Sequence, residues 1–552
     1  MLKKAVWAFA FLFSIQAFAL VDMKNANYSN TWIDMEVPGS GYDLKIVRTY
    51  NSRSLFNGMF GFGWCSDFET SMEKTAEGNL KIKECGGGRE VVFSPREITK
   101  KDVDTTINQV IAKMRAEKKV GVTEASLTVA KNKMIENDAY RSEQAFKYGV
   151  AVPIKEGTRF LANGKEVENF VFNKTHYTRT LPDGSAQRFS PEGKLTHIYD
   201  KNGNFLKFDY DKNGTITTLQ DNNSRRLSFK YFQNKKVRSI TGPNGIMAEY
   251  KFANLDDLSW VNNAWGKTYT YAYDDFHNLT KATWPDKTFI AIKYDEQKDW
   301  VTSFADRDKC IESYKYEFST SDPKNHYWST VKKICGKETV ADNKYEFWYK
   351  QRADGQSYLQ RVLTTVNGNV TDISYHEVFG KPISIRKNAD RISYEYYPDG
   401  LVKVKAAPNV RMSYEYDAKI KKVSSVSSVF FNEKGQKLST KSTQFKYDGK
   451  GNLAFAQNSD GQKITMTYDN RGRISTITDQ AKKVVRIEYE ERYGKPSLVT
   501  RPGLGSIVVS YKPNGDINKV DSKEGPSVAM QVASTFNNLL DIISPATAEL
   551  YL

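Results

Sequence analysis

The side chains best suited to proton transfer or metal binding in this sequence are five histidines, His176, His197, His277, His326 and His376, and they lie far apart. No two form an H-E-x-x-H motif or an i, i+4 pair, the spacing that sets two imidazoles on one helix face around a hydrolytic zinc. His277 falls in a turn after Tyr273-Asp274, where a polar surface role fits. No G-x-S-x-G elbow occurs, and Gly39-Ser40-Gly41 after Pro38 reads as a turn. Gly86-Gly87-Gly88 precedes the strand-like Glu90-Val91-Val92-Phe93, so it lacks the helix N-terminus that would hold phosphate. Aspartates abound, but the repeated ones sit at turns. A glycosidase or lyase would need two carboxylates facing each other across a groove, and these can be distant in sequence. The expectation is a protein without catalytic, metal or cofactor sites.

Two other sets of residues remain. Cys65, Cys85, Cys310 and Cys335 are too sparse and too widely spaced for zinc; an even number in an exported chain suggests disulfides. Three pairings are possible, and Cys65 with Cys85 and Cys310 with Cys335 is the local one. Trp260, Trp265, Trp284, Trp300, Trp328 and Trp348 fall in one region with Cys310 and Cys335. Their rings, with Lys or Arg nearby, make this region the candidate glycan-contacting surface; the plainer alternative is packing between hairpins. The long interval from Tyr316 to Tyr349 suggests an inserted loop there.

The elements that must position these residues are repeats. Tyr210-Asp211, Tyr273-Asp274, Tyr294-Asp295, Tyr416-Asp417, Tyr447-Asp448 and Tyr468-Asp469 anchor a unit whose tyrosines recur at 21 residues from Tyr447 to Tyr468 and again to Tyr489. A fixed period in the range of roughly 20 to 50 residues marks a repeat architecture. Within a unit, Ile464-Thr465-Met466-Thr467-Tyr468 alternates as a strand, Asp469-Asn470-Arg471-Gly472 turns, and Ile474-Ser475-Thr476-Ile477-Thr478 returns. Aspartate suits the turn because its carboxylate can accept backbone N–H bonds, and glycine supplies positive φ. A lone hairpin cannot bury its apolar face, so neighbours must stack.

Upstream, Thr31-Trp32-Ile33-Asp34-Met35 and Leu44-Lys45-Ile46-Val47-Arg48-Thr49-Tyr50 read as strands of a small antiparallel unit. Val103, Ile107, Val110, Ile111 and Met114 then recur at helical spacing, and Thr123 caps a second helix carrying Leu127, Ala130, Met134 and Ile135. This predicts an inserted helical hairpin that covers an open sheet edge. Lys3 and Lys4, an apolar run from Ala5 to Ile15 and Ala17-Phe18-Ala19 form a signal peptide that is too short to span a bilayer comfortably. The expected divisions are a signal peptide at 1–19, an N-terminal β module at 20–97, a helical insertion at 98–148, a repeat array at 149–520 and a C-terminal helical segment at 521–552.

The formal charge of +16 points an exported protein toward anionic partners such as lipopolysaccharide, acidic glycans, membrane surfaces or released nucleic acid. Lysines that solvate strand edges are the equal alternative, and no specific nucleic-acid partner is expected.

The Tyr-Asp-x-x-Gly units, among them Tyr199-Asp200-Lys201-Asn202-Gly203 and Tyr210-Asp211-Lys212-Asn213-Gly214, resemble the YD repeats of bacterial Rhs proteins and of the related teneurin and insecticidal-toxin shells. The resemblance covers about Leu181 to Val520. Arg48-Thr49-Tyr50-Asn51-Ser52-Arg53 and Gly61-Phe62-Gly63-Trp64 are similar to the opening module of those proteins. The resemblance implies a mainly β fold of stacked antiparallel hairpins forming a curved or spiralling sheet, which closes into a hollow shell in large relatives. The Asp-Pro-x-Gly core-end motif of Rhs toxins is not found, and Val528 to Ile543 reads as an amphipathic helix. The expectation is a secreted, periplasmic or cell-surface scaffold that binds an envelope glycan or a protein. The alternatives are a helper shell around a separately encoded toxin cargo and a polysaccharide-degrading enzyme.

Overall fold

The computed structural model describes residues 20–522 apart from 86–88, 96–98, 118–121, 163, 166, 353–356 and 513–514, together with residues 525 and 530. The expected signal peptide and most of the C-terminal helical segment lie outside the described residues.

The strands from Arg159–Leu161 to Ile517–Asp521 form one antiparallel sheet of 33 strands in which every strand pairs with its neighbours in sequence. The Tyr-Asp chemistry builds it. Asp211 accepts the N–H groups of Asn213 and Thr215, and Asp469 those of Arg471 and Arg473, each at 2.9–3.0 Å, which closes the turn on one carboxylate. The preceding tyrosine reaches back to the previous hairpin. The hydroxyls of Tyr210, Tyr273, Tyr294, Tyr468 and Tyr489 donate to the carbonyls of Leu195, Leu258, Leu279, Leu453 and Ile474, each 15 residues upstream. The pairing register shifts at these tyrosines, as between Ala272 and Tyr273 and between Thr467 and Tyr468. Such bulges bend and twist a strand, so one bulge per repeat curls the whole sheet.

The curl brings distant turns together. Lys201 Nζ donates to Gly451 O at 3.1 Å, Asn204 Nδ2 to Arg471 O at 3.1 Å, and Asn452 Nδ2 to Asn202 Oδ1 at 3.0 Å. Early and late hairpins, about 250 residues apart in sequence, therefore share a seam, and the sheet is a spiral.

Three small sheets precede the spiral: one holds Leu20–Asp22, Asn27–Val37, Leu44–Asn51 and Trp64–Cys65, a second pairs Asn57–Gly58 with Gly61–Phe62, and a third holds Ser71–Lys74, Leu80–Glu84 and Arg89–Phe93. Tyr28, Trp32, Tyr50, Phe60 and Trp64 share one apolar core with array residues from Phe160 to Val331. The N-terminal strands therefore plug the first part of the spiral. A second core, from Met412 to Ile487, belongs to the array alone.

The insertion carries three helices where periodicity gives two: α1 (Lys100–Ala116), α2 (Glu124–Glu136) and α3 (Asp138–Lys147). Asn137 ends α2 and caps α3 by accepting Tyr140 N–H, and α3 buries Arg141, Gln144 and Ala145, a face with little apolar signal. The interval between Tyr316 and Tyr349 is not a loop. It lengthens the strands to His326–Cys335 and Glu338–Gln351, whose side chains continue the alternation.

Candidate functional site

Where the plug meets the array, the sheet encloses a charged pair. Arg48, fully buried, forks onto Asp34 through Nε and through Nη2 at 3.0 Å; Nη2 also donates to Tyr271 Oη at 3.0 Å. Tyr250 donates its hydroxyl to Asp34 at 2.9 Å, and the guanidinium lies 4.6 Å from the Trp64 ring centroid. Burial pushes both phenols well above their usual value, so they remain hydrogen-bond partners rather than charges. Trp64 Nε1 donates to Tyr273 Oη and Leu279 N–H to Tyr50 Oη, each at 2.8 Å. The plug thus reads the array's repeat tyrosines directly. Burial also pushes the Glu69 carboxyl up to about 7 against the N–H bonds it accepts from Met59 and Ser66.

Beyond the plug the inner face changes. Tyr327 Oη and Ser329 Oγ donate to the carbonyls of Lys24 and Met23. On the same face, Val362, Ile373, Ile385 and Ile392 stand opposite one another across successive strands and belong to neither core. Ile373, Ile385 and Ile392 are only half-buried. This apolar strip, in the strands from Ser357–Val366 to Asp390–Tyr396, is the candidate functional surface.

The six tryptophans do not form one platform. Trp284 packs toward Trp32 of the plug (6.2 Å) with Arg307 over its ring, Trp300 packs on Tyr316 (5.2 Å), and Trp265 is exposed at a turn. Lys251 lies over Trp260 at 4.4 Å. Only Trp328 and Trp348 meet, through His326, on the outward face. The imidazole stacks on Trp348 at 4.7 Å and bonds Glu346 at 2.7 Å, Lys344 covers Trp328, and Arg361, paired with Asp372, covers the other ring. Each ring thus already has a cation against it.

The cysteines lie in the two local pairs, with Cα atoms 5.4 Å apart for Cys65 and Cys85 and 4.3 Å for Cys310 and Cys335. The second pair joins the strand His326–Cys335 to the residue just before its neighbour Ile311–Phe318; the first ties the strand Trp64–Cys65 to the turn after Leu80–Glu84. Glu69 lies beside Cys65 and Cys85, but bonded sulfurs are not thiolate ligands. His277 takes a left-handed turn position (φ 67°) and bonds the buried Asp257 at 2.8 Å, with its ring 5.0 Å from Phe62 of the plug. Its role is a contact between plug and array, which the turn position alone did not reveal. The Arg48–Asp34 pair and the apolar strip also escaped the sequence, where only a buried-charge position in an alternating strand hinted at the first.

A family model described as a domain of unknown function, DUF6531, matches residues 20–93, the plug. No curated protein matches the chain. Among solved structures, the crystal structure of TcdB2-TccC3-TEV is similar at 11% identity and a TM-score of 0.42, covering 96% of this chain and 29% of that one. The corresponding figures are 11%, 0.35, 95% and 31% for TcdB2-TccC3 without its hypervariable C-terminal region. For the Photorhabdus luminescens Tc holotoxin pore they are 10%, 0.26, 88% and 35%. The chain spans about a third or less of the length of those proteins.

Proposed function

We propose that this chain is an exported, Rhs-related scaffold that holds a segment of a partner protein against the open inner face of its spiral, as a helper shell in a toxin-delivery system would. The carrying observation is the apolar strip at Val362, Ile373, Ile385 and Ile392, inward-facing like the buried rows beside it yet left out of both cores. Apolar sheet surface of this kind is stabilised by a second layer. Export accords with the two cysteine pairs. The division into signal peptide, β module, helical insertion, array and C-terminal segment belongs to the same proposal. The test is photo-crosslinking in the native host, with benzoylphenylalanine at Ile385 and, as a control, at its outward neighbour Arg386. A discrete protein adduct from Ile385 alone is expected; no adduct, or equal capture from both positions, refutes the reading.

A second reading, binding of an envelope glycan, is favoured by the outward ladder of His326, Trp328 and Trp348 with Glu317 and Glu346, since Trp328 Nε1 donates to Glu317 at 2.9 Å in an amphipathic patch. It requires a sugar to displace Lys344 from its ring. Glycan-array binding that survives moderate salt and is lost in Trp328→Ala is expected on this reading; binding that vanishes with salt counts against it.

A further inference from the structure

One rim of the spiral carries large apolar side chains at its turn tips. The turns 232–236, 254–256, 274–278 and 295–300 are each separated from the next by two strands, so they lie on one side of the sheet about 10 Å apart. At the first three tips, Phe232, Leu255 and Phe276 are 40%, 74% and 65% exposed. The plug loop that follows Asn51 runs along the same rim. It is fastened there by Lys236 Nζ donating to Gly58 O at 3.0 Å, Phe62 N–H to Asp256 O at 3.0 Å and Arg53 Nη1 to Lys298 O at 2.6 Å. The loop adds Leu55, 86% exposed.

The fold does not call for these side chains. None of the four belongs to a core cluster. Phe276 N–H donates to Asp274 Oδ1 at 3.0 Å, the bond that Asn213, Lys450 and Arg471 make in other repeats, so a polar residue closes this turn equally well. Leu255 has a left-handed backbone (φ 68°), a conformation that glycine or asparagine adopts at less cost. Apolar type at these tips therefore serves something outside the chain.

The shape and polarity of the rim decide what that is. Separate convex tips enter a fluid lipid interface one by one, whereas a protein partner would need a matching pocket for each. The tips also leave little backbone to desolvate. Phe232 N–H donates to Lys236 O at 2.8 Å, and Leu255 O accepts Asn234 Nδ2 at 2.8 Å. Exposed charges on these turns and the loop are mixed, with Arg53, Lys235 and Lys298 against Asp275 and Glu296. The carboxylates of Asp256, Asp257, Asp274 and Asp295 are already paired with Lys236, His277 or turn N–H groups. Attraction to an anionic surface is therefore weak here, and apolar insertion has to carry the binding.

We propose that this rim inserts its apolar turn tips into the headgroup region of a zwitterionic lipid bilayer and holds the spiral end-on against a membrane surface. The site is independent of the inner apolar strip. The test is co-sedimentation of the chain from Leu20 onward with phosphatidylcholine vesicles. Binding should be equal at low and high salt. The partition coefficient should fall at least about tenfold in Leu55→Ser/Leu255→Asn/Phe276→Ser. It should stay unchanged in Trp265→Ser, a 52% exposed tip on the opposite rim. Leu255→Asn alone should lower it about threefold without lowering the melting temperature, which separates lipid contact from folding. No binding, binding only to anionic vesicles that high salt removes, or binding indifferent to the three tips overturns the proposal. Self-association in lipid-free solution that the triple variant abolishes also overturns it, because the occupant of the rim would then be a second copy.

Discussion

The strands Phe289–Tyr294 and Pro382–Lys387, Phe-Ile-Ala-Ile-Lys-Tyr and Pro-Ile-Ser-Ile-Arg-Lys, are each six residues long and share an Ile-x-Ile core followed by a basic residue. On the inner face of the first, Ile290 and Ile292 are 3% and 2% exposed; on that of the second, Ile385 is half-buried. Alternation decides which face of a strand is apolar, but whether that face is buried depends on what another part of the chain places against it. The plug covers the first strand, and neither core includes the second.

The largest effect that would break this contrast is loss of the plug's anchor. Arg48→Met leaves Asp34 buried without its partner and should cost about 3–5 kcal/mol, read as a lower denaturation midpoint with amide exchange raised first in the strands Met247–Ala253 to Val301–Ala305. A double Arg48→Met/Asp34→Leu variant should recover much of that loss. Next, Ile292→Ala should cost about 2–5 kcal/mol and Ile385→Ala about 1 kcal/mol or less. Equal losses would mean that the open strip is covered like the plugged one. A third pair compares repeat tyrosines. Tyr273→Phe removes a hydroxyl that donates to Leu258 O and accepts Trp64 N–H, and should cost about 1–3 kcal/mol, whereas Tyr468→Phe should cost about 0.5–1.5 kcal/mol.

The smallest effect concerns the seam between early and late hairpins. Burial, with the neighbouring Lys422 ammonium, pulls Lys201 down to about 8. The folded form disfavours the charged amine, so stability contributed at this site is absent below about pH 8 and is gained as pH rises toward the ordinary lysine value. The melting temperature of the wild type should therefore rise relative to Lys201→Met between pH 7.5 and 9.5; parallel profiles would show that the amine is not strained in the seam.

Much of the array was legible because its chemistry is local. Asp211 and Asp469 bond within four residues of themselves, and the 21-residue interval is the length of one hairpin. The disulfide pairs were legible for the same reason of short separation. What escaped were contacts between distant positions. Arg48 finds Tyr271 223 residues away, and His277 takes a glycine-like turn position yet reaches the plug through Phe62. The third helix was hidden because α3 buries Arg141 and Gln144, whose side chains carry no hydrophobic period. The long strands around Trp328 and Trp348 were hidden because added length between two tyrosines gives no sign of whether it extends strands or turns.

The tip Pro38-Gly39-Ser40-Gly41 is wedged into the seam. Arg225, paired with Asp221, donates to Tyr42 O, Arg473 Nη1 reaches Ser40 Oγ at 3.2 Å, and a side chain at Gly494 would stand 2.7 Å from the Ser40 Cα. Ser40 and Arg473 are 433 residues apart. A ribosome finishes the first of these long before it begins the second, so the hairpin made early cannot reach its final seat until almost the whole array exists. Contacts of such separation are slow to form and leave apolar surface waiting in the meantime. The tip is thus a latch whose seat is built by repeats as late as those carrying Gly494 and Gly515, so its closure should report that the array is complete that far.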